Sequence, residues 1–248
     1  MGIRYTILAA GKGERLRPET AEKPKPLVDV ADDLSLLEAH LYAATVEESI
    51  ERTVVVTGYR REQIEGAVAA FGSDPVARCV FNPCFGLAGP LVSAWQGIGF
   101  HDDDVALVNG DTLYDRACYE AADEVGEGIH LLVSRRERFG RDDVRVRTDH
   151  GTVSAVGKGL ADADAASAGF LVVKGAGSRT SFDEVLKSLL ESETHLRHAT
   201  WHSVVDRLAT GDGRVRTCEV PDESWMEVDT EDDLERARQW VTDGGVTH

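Results

Sequence analysis

Apolar positions along the first half of the chain alternate between two periods. Ile3–Leu8 reads as a buried strand, and the apolar run continues to Ala10 before it empties into glycine. From Leu34 to Ile50 the spacing becomes helical, with Leu36, Leu37, Ala39, Leu41, Ala44 and Val46 on one face. Thr53–Thr57 is a second strand closed by Gly58-Tyr59, Arg61–Phe71 a helix, Val76–Phe81 a strand and Leu91–Ile98 a helix. Val105–Val108 is a short apolar strand that ends in Asn109-Gly110-Asp111. This rhythm predicts an α/β fold, a mostly parallel Rossmann-like sheet flanked by helices. In such sheets ligands bind beyond the carboxyl ends of the strands, where the first glycine loop and Asp111 would both lie.

The second half has more strand character. Ile129–Arg135, Val144–Thr148, Thr152–Val156, Gly169–Lys174 and Val215–Val220 read as strands, and Asp149-His150-Gly151 as a hairpin turn. Residues 181–192 and 201–210 read as helices, and a last helix starts near Thr230, with Glu231, Asp232 and Asp233 in its positive first turn. No repeat or linker interrupts residues 1–248. The simplest organisation is one domain with a small mixed β lid: a nucleotide-binding half (1–125), an acceptor-binding half (126–220), then a metal-binding loop and terminal helix (221–248).

The 248 residues suffice for a substantial core. The formal net charge of −17 disfavours nucleic acid and anionic membranes as partners. An acid-rich surface with only 6 lysines resembles that of proteins from a high-salt cytoplasm; an acidic protein from a GC-rich genome is the milder reading. Cys79, Cys84, Cys118 and Cys218 lack metal-site spacing, and neither a charged leader nor a run of 18 apolar residues is present, so a soluble cytoplasmic protein is expected. A homodimer is compatible with the sequence, which does not fix the oligomeric state.

The lysine scarcity draws attention to the start of the chain, where Lys12, Lys23 and Lys25 cluster; a fourth, Lys158, lies in Val-Gly-Lys-Gly-Leu. Residues 8–28 read Leu-Ala-Ala-Gly-Lys-Gly-Glu-Arg-Leu-Arg-Pro-Glu-Thr-Ala-Glu-Lys-Pro-Lys-Pro-Leu-Val. Gly11 and Gly13 let backbone N–H groups approach an anion closely, and Arg15 and Lys25 add fixed positive charge. This is a phosphate cradle of the kind a nucleoside triphosphate needs. It is not a dinucleotide fingerprint, which places a third glycine where Leu16 stands, nor a Walker loop, which needs Gly-Lys-Ser/Thr.

Two carboxylates complete the candidate chemistry. Asp111 follows an apolar strand and a glycine. Alternation over 225–229 puts Trp225, Glu227 and Asp229 on one face of an extended segment. Mg²⁺ takes hard oxygen ligands, usually one or two carboxylates with phosphate oxygens and waters, which makes Asp111 and Asp229 the candidate pair. Asp229 as a helix cap is the structural alternative.

The pattern Gly-x-Gly-x-Arg-Leu-x-Pro…Lys-Pro-Lys-Pro-Leu resembles the nucleotidyltransferase family that makes nucleoside-diphosphate sugars and CDP-choline. Asn-Gly-Asp-Thr at 109–112 and Glu-Val-Asp-Thr-Glu-Asp-Asp-Leu at 227–234 resemble its metal-binding stretches, in the same chain order. The resemblance implies the nucleotide-diphospho-sugar transferase fold and a Mg²⁺-dependent transfer from a nucleoside triphosphate to a small phosphorylated acceptor, with pyrophosphate released. It implies that Leu8, Ala10 and Gly11 cradle the base and ribose, Lys25 stabilises charge at the α- or acceptor phosphate, and Arg15 holds the pyrophosphate.

Val-Thr-Gly-Tyr at 56–59, Asn82-Pro83 leading to Leu91-Val-Ser-Ala-Trp95, and Val-Ser-Ala-Val-Gly-Lys158 look most like the choline-phosphate cytidylyltransferase-like group. That likeness extends nucleotide contacts to Gly58, Asn82 and Ser93, and acceptor phosphate contact to Lys158. Relatives commonly carry paired asparagines where Ala88-Gly89-Pro90 stands, so CTP is a preference over UTP or another nucleotide. A choline headgroup needs aromatic faces near a carboxylate; Phe139, Trp201 and Trp225 with Asp206 are the candidates, though Trp201 also reads as helix core. Arg197 with His195, His198 and His202 suits a polyol or sugar phosphate better, and the histidines at helical spacing carry a weak metal-site signal. A sugar-1-phosphate nucleotidyltransferase and a catalytically silent nucleotide-binding subunit are the alternatives; the second would be favoured by loss of Lys25, Asp111 or Asp229, and all three are present.

Overall fold

The computed structural model describes residues 2–72, 77–99, 103–192, 196–212 and 214–246. In chain order its elements are β1 (Ile3–Ala9), β2 (Asp29–Ala31), β3 (Leu34–Ser35), α1 (Leu36–Val46), β4 (Ile50–Thr57), α2 (Arg61–Phe71), β5 (Arg78–Phe81) and α3 (Pro90–Ile98). They continue as β6 (Asp104–Asn109), β7 (Thr112–Tyr114), α4 (Arg116–Glu124), β8 (Gly128–Arg135), β9 (Arg145–Asp149), β10 (Thr152–Gly157) and β11 (Ala165–Lys174). α5 (Ala176–Ser192), α6 (His202–Asp212), β12 (Val215–Glu219), β13 (Trp225–Glu227) and α7 (Glu231–Thr242) complete the chain.

Local chemistry sets the boundaries that periodicity blurs. The helical run from Leu34 is shorter than expected, because Ser35 and Glu38 form a capping box that starts α1 at Leu36. At the other end a turn after Val46 closes with Ile50 N–H donating to Glu47 O at 3.0 Å, and Ile50 opens β4 instead of ending the helix. Val46 itself is exposed. The expected strand over 76–81 begins at Arg78, and Val76 lies outside the described residues. Thr230 and Asp233 form a second capping box at α7.

The main sheet has nine strands in the order β5-β4-β1-β6-β11-β8-β12-β10-β9. The part formed by residues 1–125 is parallel: β4 pairs with β5 and β1, and β1 with β6. β11 enters antiparallel to both β6 and β8, β12 runs parallel to β8, and the β9–β10 hairpin folds back so that β9 also pairs with β11. The mixed β part therefore continues the same sheet, with the ribbons β7–β13 and β2–β3 beside it. One face is covered by Leu37, Leu41, Ile64 and Tyr119, the other by Leu91, Phe182, Leu186, Trp201 and Val204. A third apolar cluster joins Leu16 and Val28 to Val228 and Leu234, tying the N-terminal segment to α7. No helix among the described residues is long and apolar enough to cross a membrane.

Candidate active site

β1 and β6 lie side by side, Leu8 opposite Asn109, so the loops leaving both strands emerge at one sheet edge. Gly110 N–H donates to Leu8 O at 3.0 Å, an approach any Cβ at 110 would block, since it would stand 2.6 Å from that oxygen. Gly13 has φ +62°, and a Cβ there would fall 2.7 Å from Lys25 Cβ; glycine thus supplies both the left-handed turn and the space for the lysine.

Lys25 is buried at 5% exposure and places Nζ 2.7 Å from Asp111 Oδ2 and 2.6 Å from Asp229 Oδ1. The two aspartates meet because β7 pairs with β13, Thr112 opposite Glu227, and Val228 N–H donates to Asp111 O at 2.9 Å. Capping of α7 falls to Thr230 and Asp233, which leaves the Asp229 carboxylate for the site. Arg15 Nη2 approaches Asp229 Oδ2 at 2.6 Å.

Glu227 joins this pair: one carboxylate oxygen each from Asp111, Glu227 and Asp229 lies within 4.8 Å of the others. Burial, then the Asp111 and Asp229 charges, push the Glu227 carboxyl up to about 8. Burial also works against an ionised Asp229, but Lys25 and Arg15 outweigh it and hold that carboxyl below its ordinary value. Lys25 loses by burial and gains more from its two aspartates, so its ammonium is held above the usual range. A cluster of three hard-oxygen side chains this close fits a divalent cation such as Mg²⁺, whose charge would favour the ionised form of Glu227. The alternation at 225–229 was the signal for Glu227.

Two cavities flank the cluster and share Leu8, Gly11, Phe85, Ala88 and Asp111. The larger, about 560 Å³, is walled by Gly13, Arg15, Lys25 and Asp229 with Lys12 and Arg197. The smaller, about 390 Å³, holds Ala10, Ser93, Lys158, Trp201, Trp225 and Glu227 in its wall.

Other expected contacts fall behind the walls. Gly58 lines neither cavity; a Cβ there would meet Ala10 O at 2.6 Å, and the neighbouring Tyr59 N–H donates to that same oxygen at 3.1 Å. Gly58 thus supports the cradle from below. Asn82 is fully buried, donates Nδ2–H to Ser93 Oγ at 2.9 Å and accepts from Cys84 N–H at 2.9 Å, so only Ser93 of that pair reaches the cavity.

The aromatic box expected for choline is not assembled. Trp201 is core, its ring stacked on His202 and its Nε1–H given to Asn109 Oδ1 at 3.0 Å. Arg136 lies over the Trp225 ring at 4.6 Å. Phe139 lines neither cavity and carries Arg145 above it at 5.3 Å, while Asp206 accepts from Val156 N–H at 3.0 Å. His198 and His202 do not share a helical face either. His198 sits exposed in a turn, His202 is buried against Ser167 Oγ at 2.9 Å, and His195 lies outside the described residues.

Residues 5–139, more than half of the chain, match the nucleotidyl transferase family. The CMP-5'-(3-aminopropyl)phosphonate synthase of Streptomyces rubellomurinus is 28% identical over 95% of this chain and 38% of its own length. The bifunctional IPC transferase and DIPP synthase of Aquifex aeolicus is 28% identical over 95% of this chain and 51% of its own. The chain thus spans about half or less of the length of these curated relatives. The inositol-1-phosphate CTP transferase of T. maritima shares the fold, with TM-score 0.77, 21% identity and coverage of 98% of this chain and 97% of that one. With the nucleotide-diphospho-sugar transferase architecture and the family match together, this chain belongs to the nucleotidyl transferase family.

Proposed function

We propose that the protein transfers a nucleoside monophosphate, with CTP the preferred donor, to the phosphate of a small hydroxylated acceptor. The observation that carries this reading is the Lys25 ammonium between Asp111 and Asp229, at the seam of two adjoining cavities. An acceptor phosphate oxygen attacks the α-phosphorus, the bond to the β-phosphate bridging oxygen breaks, and pyrophosphate leaves with that electron pair. The attacking oxygen is already ionised at neutral pH, so alignment and charge neutralisation suffice. Lys25 faces the charge that develops at the α-phosphate, and Arg15 in the larger cavity suits the departing pyrophosphate. Asp111, Glu227 and Asp229 would hold Mg²⁺, which when bound neutralises phosphate charge and polarises the α-phosphorus.

The preference for CTP draws on relatives whose names specify CMP or CTP. A hydroxylated acceptor is favoured over phosphocholine because the aromatic faces are already occupied, whereas Ser167, Thr200 and His202 line the smaller cavity and Lys158 suits the acceptor phosphate. Four unpaired cysteines suit a reducing cytoplasm. The test is a panel of CTP, UTP, ATP and GTP against inositol phosphate, glycerol phosphate, glucose 1-phosphate and phosphocholine, read by pyrophosphate release in molar KCl. Release with CTP and a polyol phosphate is expected. Phosphocholine as the best acceptor would overturn the acceptor assignment, UTP with glucose 1-phosphate would favour a sugar-1-phosphate enzyme, and no release with any pair would favour a silent nucleotide-binding subunit.

A further inference from the structure

Arg15 and Lys158, which face the two cavities, share one carboxylate. Besides Asp229, Arg15 holds Asp142, its Nη1 lying 2.7 Å from Asp142 Oδ2. Lys158 Nζ approaches the other oxygen of the same carboxylate at 3.9 Å. Asp142 lies between β8 and β9 in the acceptor half and walls the smaller cavity, whereas Arg15 walls the larger. Its segment is braced from behind: Asp143 accepts from Gly140 N–H at 2.8 Å and pairs with Arg136 at 3.2 Å. Asp142 therefore reaches across the site from a fixed base. At 53% exposure its ion pairs are weak enough to exchange partners.

A carboxylate and a phosphate compete for the same guanidinium N–H groups. We propose that Asp142 is a positioning residue that couples the two cavities. In the empty site it stands in for phosphate on Arg15 and Lys158. A triphosphate that engages Arg15 displaces it, and the displaced carboxylate leaves Lys158 to the acceptor phosphate. Nucleotide binding thereby prepares the acceptor cavity, which favours nucleotide first. The identity of the two anions rests on the proposed transfer reaction.

Calorimetric binding of inorganic pyrophosphate with magnesium, without nucleotide or acceptor, tests the coupling in the whole chain. Asp142→Asn and Asp142→Ser should each bind pyrophosphate about two- to fivefold more tightly than the parent, the scale of an exposed ion pair, and the gain should shrink with salt. Glu14→Gln removes an equal charge from the wall of the larger cavity, where its carboxylate lies 4.0 Å from Lys12 Nζ and leaves the 2.7 Å Arg15–Asp142 contact in place, and should shift binding less. In turnover, the acceptor KM should fall with rising nucleotide in the parent and lose that dependence in Asp142→Asn. Equal or weaker pyrophosphate binding in the Asp142 variants, or an equal gain in Glu14→Gln, would overturn the proposal. Binding needs no turnover, so an acceptor panel without product would defeat the transfer reading and leave this measurement decisive on its own.

Discussion

Lys25 and Asp229 meet at 2.6 Å across 204 positions of sequence. The contact closes the start of the chain onto its last helix, beside the cluster in which Leu16 and Val28 pack with Val228 and Leu234. Fold and chemistry are joined at this point, since the same packing that buries those side chains sets the distance between ammonium and carboxylate.

Asp111→Asn keeps the shape of the turn but removes a charge from the seam of the two cavities. Turnover should fall by at least ~100-fold, as when a contact to developing charge is lost. Steady-state pyrophosphate release in saturating Mg²⁺ checks this, and near-parental turnover would remove Asp111 from the role.

Lys25→Met takes the ammonium from between Asp111 and Asp229 and leaves their charges to repel. A fully buried pair broken this way costs ~3–5 kcal/mol. Asp111 is 31% exposed, so about 2 kcal/mol is the fitting scale here. Thermal melting should show the loss in chelator, and added Mg²⁺ should restore part of it. A melting temperature indifferent to Mg²⁺ in this variant would argue against the carboxylate cluster as a cation site.

His40 and His202 make stability pH-dependent. Burial lowers both imidazoles, to about 4 and about 3, with Lys158 adding to the effect at His202. In the unfolded chain they take up protons near pH ~6.5, while the folded state keeps them neutral. Their contribution is complete above that pH and is lost as pH falls from ~6.5 towards the folded values, by at most ~1.4 kcal/mol per pH unit for each. Comparing the parent with His202→Asn separates this contribution from the opposite trend of the raised Glu227 carboxyl: the loss in urea midpoint caused by the substitution should be larger near pH ~8 than near pH ~5.5.

Gly58→Ala tests support from below. The new methyl would sit 2.6 Å from Ala10 O and 2.7 Å from Phe85 Cβ. Overpacking of this kind costs ~1–3 kcal/mol, and the displaced loop should raise the nucleotide KM more than the acceptor KM. Urea unfolding and initial rates with each substrate varied would reveal both effects.

The parts of the site that were legible in sequence are those where chemistry and chain order coincide: the glycine loop with Lys25, and the two aspartates in segments of distinct composition. Glu227 was visible only as a residue on the right face, because ligation depends on the β7–β13 pairing that no local pattern encodes. Asn82 and Gly58 show the converse limit. Motif membership is the same for a residue that touches a ligand and for one that props up its neighbour, and only burial separates them. Among the elements, β11 begins four residues before the apolar run at Gly169, since Ala165-Ala-Ser-Ala168 has little β propensity and is held by its neighbours on both sides. Arg116–Glu124 had a single start signal, Asp115, whose carboxylate caps Cys118 N–H.

That long β11 strand has a mechanical consequence. It is stitched to β6 of the parallel part of the sheet on one edge and to β8 of the mixed part on the other. Severing the backbone near residue 125 would leave one fragment with a raw sheet margin at β6 and the other with β11 bared over Phe170–Val173. The fragments would be mutual templates, soluble together and prone to aggregate apart, so the two parts of the sheet should melt as a single cooperative unit.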